Sequence, residues 1–357
     1  ARLALGGPQG LDQRLAGGLG IGGIPFWRAA VPRIKSGPIK GTAREGGFGD
    51  VWVAHDAREN TSCAVKIPTL AFEESKFVTK NEAGVLGRLQ GIPGIPKYID
   101  SCFDPEKDLT LEERQDPLRK SLLYVAMEYY DDLERIDYYC AGKPLAVKIQ
   151  ILLSALSILS QAHKKNIIHQ DLKSLNIFVR KNTGEVIILD WGLASQGKGG
   201  PVFTGTPMFS SRHQILQEKL DERNDLHQMA TTLYDLVAGT VPFFNAGPME
   251  IAETKDTEKD PFRRIPPLIK KGFPKKLAQI LLKGFYGFYE KPEEEKPEEE
   301  KPYAWMDPEI RNLLEKPVFA GGKENGYETA EQMIQDLARF QEALNETRSS
   351  ETEIYDD

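Results

Sequence analysis

The sequence predicts an α+β fold of two lobes, a strand-rich first lobe and a helical second lobe. Residues 39–67 are rich in β-branched and apolar residues around a glycine cluster at 46–49, which is typical of strands joined by a turn. An apolar stripe at helical spacing predicts a buried helix in the second half, through Leu145, Ile149, Leu152, Leu156 and Leu159. Strands followed by helices indicate segregated α+β layers, with a cleft between the lobes where ligands commonly bind.

The remaining elements follow in chain order. A helix is expected at about residues 73–89, and the polar, proline-punctuated residues 104–121 predict a surface loop. A strand is expected at 122–127. Pro144 suits the first turn of the helix that carries the apolar stripe, and residues 226–237 predict a second apolar helix.

These patterns divide the chain into a leader, a main domain and a tail. Residues 1–36 are glycine-rich and are expected to be flexible, although the aromatic pair at 26–27 leaves docking against the main domain as an alternative. The main domain is expected to span residues 37–345, with the first lobe at 37–127 and the second at 128–345. Two acidic segments complete the division, namely a mobile insertion at 290–302 (EKPEEEKPEEEKP) and a disordered tail at 346–357.

Composition excludes several classes of protein. The net charge of −7 and pI near 5.5 argue against a nucleic-acid binder, which usually has a basic face. Three cysteines without a CxxC pair predict free thiols in a reducing compartment. An uninterrupted apolar run of about 18 residues does not occur, so a membrane span is not expected. We therefore expect a soluble cytoplasmic protein, with an organellar stroma or matrix as an alternative; its oligomeric state stays open.

The first lobe carries residues suited to binding phosphate groups. In the cluster Gly46, Gly47, Phe48 and Gly49, glycines let backbone N–H groups approach phosphate oxygens without a clash. Such turns are common, so this signal alone is weak. Lys66 follows in the apolar run AVKI, and Glu82 lies 16 residues later on the predicted helix. An ion pair between them would direct the lysine towards phosphates, whereas a snorkelling lysine and a solvated glutamate are the structural alternatives.

The second lobe carries HQDLKSLN, residues 169–176, between two apolar runs. Polar groups in such a setting are costly unless they are paired or functional. Asp171 could accept a hydrogen bond from a substrate hydroxyl, Lys173 could neutralise phosphate charge, and Asn176 could offer an amide oxygen to Mg²⁺. Asp190 ends the apolar run IILD and is the expected second ligand of a hard cation.

The glycine cluster, AVK, the helix glutamate, HxDxKxxN and DxG occur in an order and spacing that resembles eukaryotic-type serine/threonine protein kinases. The resemblance covers about residues 39–344. It implies a bilobal kinase fold, ATP and Mg²⁺ as cofactors, and transfer of the γ-phosphate to a protein serine or threonine. Asp171, Lys173, Lys66 and Glu82 would be the catalytic residues.

The resemblance also implies a nucleotide site. Its members would be Gly46, Gly47, Phe48, Gly49, Val51, Ala64, Lys66, Met127, Glu128, Tyr130, Glu134 and Phe178. Met127 would lie beside the adenine and Glu128 to Tyr130 would form the hinge. Val51 and Ala64 would lie above the adenine, Phe178 below it, and Glu134 near the ribose. Plain core and loop positions are the alternative for these residues.

Two further segments are similar to the family. Gly205-Thr206-Pro207 resembles the substrate-docking end of the activation segment, where Thr206 would hydrogen-bond near Asp171 and Lys173, as in serine/threonine kinases. Asp225, which opens the second apolar helix, resembles the buried aspartate that braces the catalytic loop.

Two departures bear on activity. Arg44 replaces the first glycine of the cluster, and Gln170 replaces the arginine that pairs with a phosphorylated activation segment in the family. The second departure suggests that activity does not require phosphorylation there. Together with the altered segment at 211–213, they motivate one alternative to an active protein kinase, a pseudokinase scaffold. A small-molecule kinase is a second alternative, because such enzymes share the bilobal plan and the catalytic acids. The presence of every catalytic group argues against the first, and Gly-Thr-Pro argues against the second.

Two other departures concern packing. Trp191 replaces the usual phenylalanine of DxG; its ring is expected to stack on His169, and its indole N–H requires a partner. Residues 211–213 (SRH) stand where Ala-Pro-Glu is usual, and Gly326 occupies the expected place of the arginine that pairs with that glutamate. Loss of both halves of a buried ion pair avoids leaving one charge unpaired.

Overall fold

The structure is a computed structural model. It describes residues 34–35, 44–46, 49–56, 58–68, 73–103, 123–195, 205–241, 247–254, 274–285 and 326–352. The predictions for residues 1–33, Gly47, Phe48, the loop at 104–121, the insertion at 290–302 and residues 353–357 lie outside the described residues.

The first part of the chain forms one antiparallel sheet and one helix. The strands are β1 (Ile34–Lys35), β2 (Arg44–Gly46), β3 (Gly49–Asp56), β4 (Thr61–Ile67), β5 (Tyr98–Cys102) and β6 (Tyr124–Glu128). Their order is β1-β3-β4-β6-β5, and β2 also pairs with β3. Helix α1 (Glu73–Arg88) connects β4 to β5. The long strands β3 and β4 follow from the β-branched and apolar residues around their turn.

The apolar core of this unit lies along the sheet and beneath α1. Its buried sheet residues are Ala54, Cys63, Val65, Cys102, Tyr124 and Ala126. The buried side of α1 presents Val78, Val85 and Leu86 at helical spacing, and the buried Leu89 follows directly after the helix. Cys63 and Cys102 of this unit, and Cys140 of the second unit, are buried thiols.

The second unit combines a three-stranded antiparallel sheet with helices. The sheet contains β7 (Leu133–Arg135), β8 (Ile177–Arg180) and β9 (Val186–Ile188) in that order. The helices are α2 (Ile136–Tyr139), α3 (Leu145–His163), a 3-10 turn (Trp191–Leu193), α4 (Arg212–Ile215), α5 (Arg223–Ala238), α6 (Pro248–Thr254), α7 (Lys275–Phe285) and α8 (Ala330–Thr352). The predicted α+β class, with strands first and helices second, is confirmed.

Helix α3 is the central helix of the second unit. It packs against α5, α8 and strand β9, and the predicted stripe residues Ile149, Leu152, Leu156 and Leu159 are buried. By length and composition this helix could also cross a membrane, the one such helix among the described residues. Its contacts in this unit are those of a core helix.

The structure differs from the predicted boundaries at three places. Residues 34–35, assigned to the flexible leader, form β1 and pair with β3 because the outer edge of β3 offers unpaired backbone groups. Helix α8 continues to Thr352, so the predicted tail from 346 begins inside a helix. The compact units meet in sequence at Tyr130 and Asp131 rather than at 127 and 128, and Gly91–Ile95 belongs to the second unit.

The last of these differences has a specific cause. The Gly94 carbonyl accepts a hydrogen bond from Ile188 N–H at 2.8 Å, which ties residues 91–95 to β9. Gly94 has a φ of +85°, and a Cβ at this position would collide with the side chain of Ile158. The close approach therefore requires glycine.

Candidate active site

The predicted ion pair between Lys66 and Glu82 is present. Lys66 lies on β4, where it pairs with Val51 of β3 and Val125 of β6, and Glu82 lies on the buried side of α1. Lys66 Nζ donates to Glu82 Oε2 at 2.7 Å, and the two side chains are 8% and 2% exposed. Because both charges are buried, their ion pair stabilises each of them. The prediction of this pair is confirmed.

Other predicted nucleotide residues lie on the strands beside Lys66. Ala64 pairs with Met127 of β6, and Gly46 pairs with Gly49 at the end of the β2–β3 hairpin. Met127 is buried. The sheet therefore carries Val51, Ala64, Lys66 and Met127 on three adjoining strands, although contact with a nucleotide stays a prediction.

Glu128 organises the end of β6. Its Oε2 accepts hydrogen bonds from Lys97 N–H at 3.2 Å and from the Tyr130 hydroxyl at 2.9 Å. Its own N–H donates to the Lys97 carbonyl at 2.8 Å. Residues 128–130, the predicted hinge, are thus held to the segment that precedes β5.

Asp171, Lys173 and Thr206 form an interlocked cluster in the second unit. Lys173 Nζ donates to Asp171 Oδ2 at 2.7 Å and to Thr206 Oγ1 at 2.6 Å. The Thr206 hydroxyl in turn donates to Asp171 Oδ1 at 2.9 Å. The predicted contact of Thr206 with both residues is confirmed, and it joins the catalytic loop to the Gly-Thr-Pro segment.

The β8–β9 hairpin brings Asn176 and Asp190 to the same end of the sheet. Ile177 pairs with Ile188, and Leu189 N–H donates to the Asn176 carbonyl at 2.9 Å. Asn176 lies just before β8 and Asp190 lies just after β9, so both residues are at the same end of the hairpin. Asp190 adopts a left-handed backbone conformation, with φ 62° and ψ 63°, which is strained for a residue other than glycine.

The donor set at this end of the hairpin suits a hard cation. Asn176 Nδ2 donates to the Asp171 carbonyl at 2.8 Å and to Asp171 Oδ2 at 3.1 Å, so neither bond uses its Oδ1. Amide and carboxylate oxygens are the ligands that Mg²⁺ prefers. Asn176 and Asp190 supply one of each, and their chemistry fits the predicted ion.

Glu134 lies on β7, beside this hairpin, and Phe178 lies on β8, within it. Glu134 of β7 pairs with Val179, and Phe178 of β8 pairs with Arg135 and Ile187. Phe178 is buried and Glu134 is half-buried. The sheet therefore places Glu134 next to the strand that follows Asn176, and Phe178 lies in that strand.

Asp225 braces the catalytic loop as predicted. Its Oδ2 accepts from His169 N–H at 2.9 Å and its Oδ1 accepts from Gln170 N–H at 3.0 Å. Its side chain is fully buried at the start of α5. Two backbone donors therefore hold the carboxylate in place, and the carboxylate fixes the path of the loop.

His163, at the end of α3, is a third partner of Asp225 that sequence reasoning missed. Its Nε2 lies 2.8 Å from Asp225 Oδ2 and its Nδ1 lies 3.2 Å from Glu222 Oε2. Burial by itself would lower the pKa of His163, but the hydrogen bond to Asp225 and the charges of Asp225 and Glu222 outweigh it and raise that pKa to about 9. The signal available in the sequence was a titratable residue at the end of an apolar stripe.

Trp191 fits where phenylalanine was expected. Its ring centroid lies 4.5 Å from that of His169 with an interplanar angle of 57°, and its Nε1–H donates to the Ile188 carbonyl at 3.0 Å. The side chain is fully buried. The predicted contact with His169 and the predicted need for an indole partner are both confirmed.

In the segment that replaces Ala-Pro-Glu, Ser211 is held by uncharged groups. Ser211 caps α4 by accepting from Gln214 N–H at 3.1 Å, and its hydroxyl donates to Asn224 Oδ1 at 2.8 Å. The side chains of Gln214 and Gln228 both reach the Gln170 carbonyl. Sequence reasoning missed these glutamines, since single amide residues in helices show no pattern that predicts their partners.

The site contains three parts: the buried pair of Lys66 and Glu82, the loop with Asp171 and Lys173, and the hairpin end with Asn176 and Asp190. Together they define a phosphotransferase of the kinase type. Residues 42–340 match the protein kinase domain family, and the chain belongs to that family. The predicted resemblance is therefore confirmed.

Similar proteins in bacteria are described as serine/threonine kinases. The chain is 25% identical to the serine/threonine-protein kinase PknB of Mycolicibacterium smegmatis over 87% of its own length and 43% of the relative. It is 29% identical to a probable serine/threonine-protein kinase of Streptomyces coelicolor, over 62% of this chain and 32% of the relative. A third such protein, from Clostridium perfringens, is 26% identical over 86% of this chain and 38% of the relative. The chain thus spans less than half the length of these relatives.

Proposed function

We propose that this chain is an ATP- and Mg²⁺-dependent protein kinase that transfers the γ-phosphate to a serine or threonine of a protein. The cluster of Asp171, Lys173 and Thr206 carries the proposal, because it joins an acid and a cation to the Gly-Thr-Pro segment. Membership in the protein kinase family and the descriptions of the bacterial relatives support it.

Each residue of the cluster has a distinct role in this proposal. Asp171 accepts a hydrogen bond from the acceptor hydroxyl and orients its oxygen towards the phosphate. Lys173 places a positive charge beside that carboxylate, where negative charge develops during transfer. Thr206 fixes the lysine by accepting from it, so the loop is prepared before substrate arrives.

We propose two groups of residues for binding the nucleotide. Glu82 keeps the Lys66 ammonium extended towards the α- and β-phosphates, and Asn176 and Asp190 hold Mg²⁺. When bound, the ion neutralises phosphate charge. We further propose that Gly46, Gly49, Val51, Ala64, Met127, Glu128, Tyr130, Glu134 and Phe178 line the nucleotide site.

The test uses labelled ATP, Mg²⁺ and generic protein substrates, with Asp190→Ala and the control Asp137→Ala. Asp137 forms a partly exposed ion pair with Arg135 and has no part in the site, so its loss should leave transfer unchanged. We expect label on serine or threonine from the original chain and from the control, and none from Asp190→Ala.

Two other results would point elsewhere. Nucleotide binding without transfer by the original chain would favour a pseudokinase scaffold, the alternative that Arg44 and Gln170 motivate. Label found on small alcohols or amines but not on protein would favour a small-molecule kinase. Either result would overturn the proposed function.

A further inference from the structure

Ser174, in the second half of the catalytic loop, is tied to the last turn of α5. The Ser174 hydroxyl donates to Asp235 Oδ2 at 2.9 Å, and Ser174 is buried. Asp235 lies three residues before Ala238, where α5 ends. Ser174 directly follows Lys173 and lies two residues before Asn176. The bond therefore holds the part of the loop that carries the proposed cation and the proposed metal ligand.

This bond is the last of three contacts along α5. The Asp225 carboxylate holds the start of the loop, and Gln228 Oε1 accepts from Leu172 N–H at 2.8 Å. Asp225, Gln228 and Asp235 follow one another at intervals of three and seven residues, which places them on one side of a helix. From Asp225 to Asp235 the helix rises about 15 Å. Asp235 therefore holds a part of the loop that lies beyond the reach of the Asp225 carboxylate.

The residues around Ser174 form a turn. Asn176 N–H donates to the Lys173 carbonyl at 2.9 Å, which closes the turn over residues 173–176. The Asn176 carbonyl accepts from Leu189 N–H at 2.9 Å, which holds the turn from the side of β9. The bond from Ser174 holds it from the side of α5. Loss of that bond leaves the turn attached on one side, so Lys173 and the Asn176 side chain can shift.

The Asp235 carboxylate is unfavourable for the helix that carries it. Burial raises the pKa of Asp235, the hydrogen bond from Ser174 lowers it, and the nearby charge of Asp137 raises it further. A negative charge in the last turn of a helix is also disfavoured by the helix dipole. Helix stability therefore does not explain an acid at this position. The bond to Ser174 does, because a charged acceptor binds a hydroxyl more strongly than a neutral one.

We propose that Asp235 is a positioning residue for phosphate transfer, which acts through Ser174 on the turn that carries Lys173 and Asn176. The role requires no contact between Asp235 and either substrate. It requires that the turn keep the Lys173 ammonium beside the acceptor site and the Asn176 amide oxygen directed at the proposed Mg²⁺. This inference rests on the function proposed above and deepens it.

Three substitutions in the full chain test the role of the bond. Ser174→Ala removes the donor and Asp235→Leu removes the acceptor, whereas Asp235→Asn keeps an oxygen that can accept from Ser174 but loses the charge. We expect Ser174→Ala and Asp235→Leu each to lower kcat for protein phosphorylation by about tenfold. Asp235→Asn should stay within about threefold of the original chain. A kcat within about twofold for folded Ser174→Ala would overturn the inference.

Metal binding gives a readout that does not depend on transfer. Mn²⁺, used in place of Mg²⁺, is titrated into the enzyme with ADP and its binding is followed by electron paramagnetic resonance. Groups that orient a metal ligand commonly change metal affinity by about 10–100-fold when they are lost. We expect the Kd of Mn²⁺ to rise by about tenfold in Ser174→Ala and Asp235→Leu. A purely structural role would lower the unfolding temperature and leave this Kd unchanged, which would contradict the inference.

The double variant Ser174→Ala with Asp235→Leu shows whether the two residues act as one unit. Because each single substitution already removes the same hydrogen bond, the double variant should be no slower than the slower single variant, within about twofold. Independent roles would multiply to a loss of about a hundredfold. That result would overturn the inference.

A different role for Asp235, binding a basic residue of the protein substrate by charge, predicts another pattern. Asp235→Asn would then lose as much activity as Asp235→Leu, with a raised KM for the protein, and Ser174→Ala would retain its activity. This pattern would assign Asp235 to substrate recognition and overturn the inference.

Two controls match these substitutions. Ser154→Ala on α3 removes a serine hydroxyl that donates to the Gln150 carbonyl at 3.1 Å. Thr231→Val on α5 removes a buried bond to the His227 carbonyl at 3.0 Å and should lower the unfolding temperature. Both should leave kcat and the Kd of Mn²⁺ within about twofold. If Asp235→Leu does not fold, Ser174→Ala and Asp235→Asn still decide the point.

The outcomes distinguish the inference from the function on which it rests. If the original chain does not transfer phosphate to protein, the proposed function fails and the inference with it. If the original chain transfers phosphate and Ser174→Ala matches it in kcat and in the Kd of Mn²⁺, the proposed function stands and the inference alone fails.

Discussion

Replacing His163 by glutamine should remove a pH dependence from the unfolding of the helical unit. In the folded protein the imidazole lies between Asp225 and Glu222 and is 4% exposed. Its protonated form neutralises the carboxylate that braces His169 and Gln170. Glutamine can still donate a hydrogen bond to Asp225, but it cannot titrate.

The size of the effect follows from the raised pKa of His163. The pKa rises from 6.5 to about 9, a difference of about 2.5 units, and at about 1.36 kcal/mol per unit this is about 3 kcal/mol of stability. Because the folded protein binds the proton more tightly than the unfolded chain, this stability is fully present below pH 6.5. It is lost as pH rises from there through about 9.

The assay is urea unfolding followed by circular dichroism, for the original chain and for His163→Gln, at steps from about pH 6 to about pH 10. The free energy of unfolding of the original chain should fall towards that of the variant as pH rises. His55→Gln, which removes a half-buried histidine from β3 in the other unit, is the control. A difference between original and His163→Gln that is the same at both ends of the pH range would refute the reasoning.

Two further predictions concern buried partners. Lys66→Met leaves the Glu82 carboxylate buried without its cation, so we expect a loss of about 3–5 kcal/mol in unfolding free energy together with loss of transfer. Adding Glu82→Leu should restore stability but not transfer; a double variant no more stable than the single one would contradict this. Trp191→Phe removes the indole donor to Ile188, so denaturant unfolding should show a loss of about 1 kcal/mol. Its transfer rate should stay within about threefold because the ring still contacts His169, and abolished transfer would contradict that view.

The sequence predicted those site residues that lie in motifs with a characteristic separation along the chain. The contact between Lys66 and Glu82 could be predicted because a strand lysine and a helix glutamate lie at the separation that is characteristic of the family. The contact of Thr206 with Asp171 and Lys173 could be predicted in the same way, from its place in the Gly-Thr-Pro motif. Each of these residues has a charge or hydroxyl whose chemistry requires a partner, so type and spacing together indicate the contact.

The rest could not be predicted, because the partners carry no such signal. Gln214 and Gln228 are neutral and lie on separate helices, so only the folded chain shows that both reach one carbonyl. His163 looks like the end of an apolar stripe until Asp225 and Glu222 are seen beside it. Ends of elements, such as Thr352 in α8, depend on local hydrogen bonds that periodicity does not encode.

The loop Gly91–Ile95 has a consequence for how the chain can be divided. Because this loop belongs to the helical unit while the residues on either side of it belong to the strand-rich unit, the backbone passes between the units three times. A fragment that starts at Asp131 would lack the carbonyl of Gly94 and would leave Ile188 N–H and the surface of Ile158 exposed. Neither half of the molecule can therefore be excised intact with a single cut, and separate expression of the two halves would require a graft of these five residues.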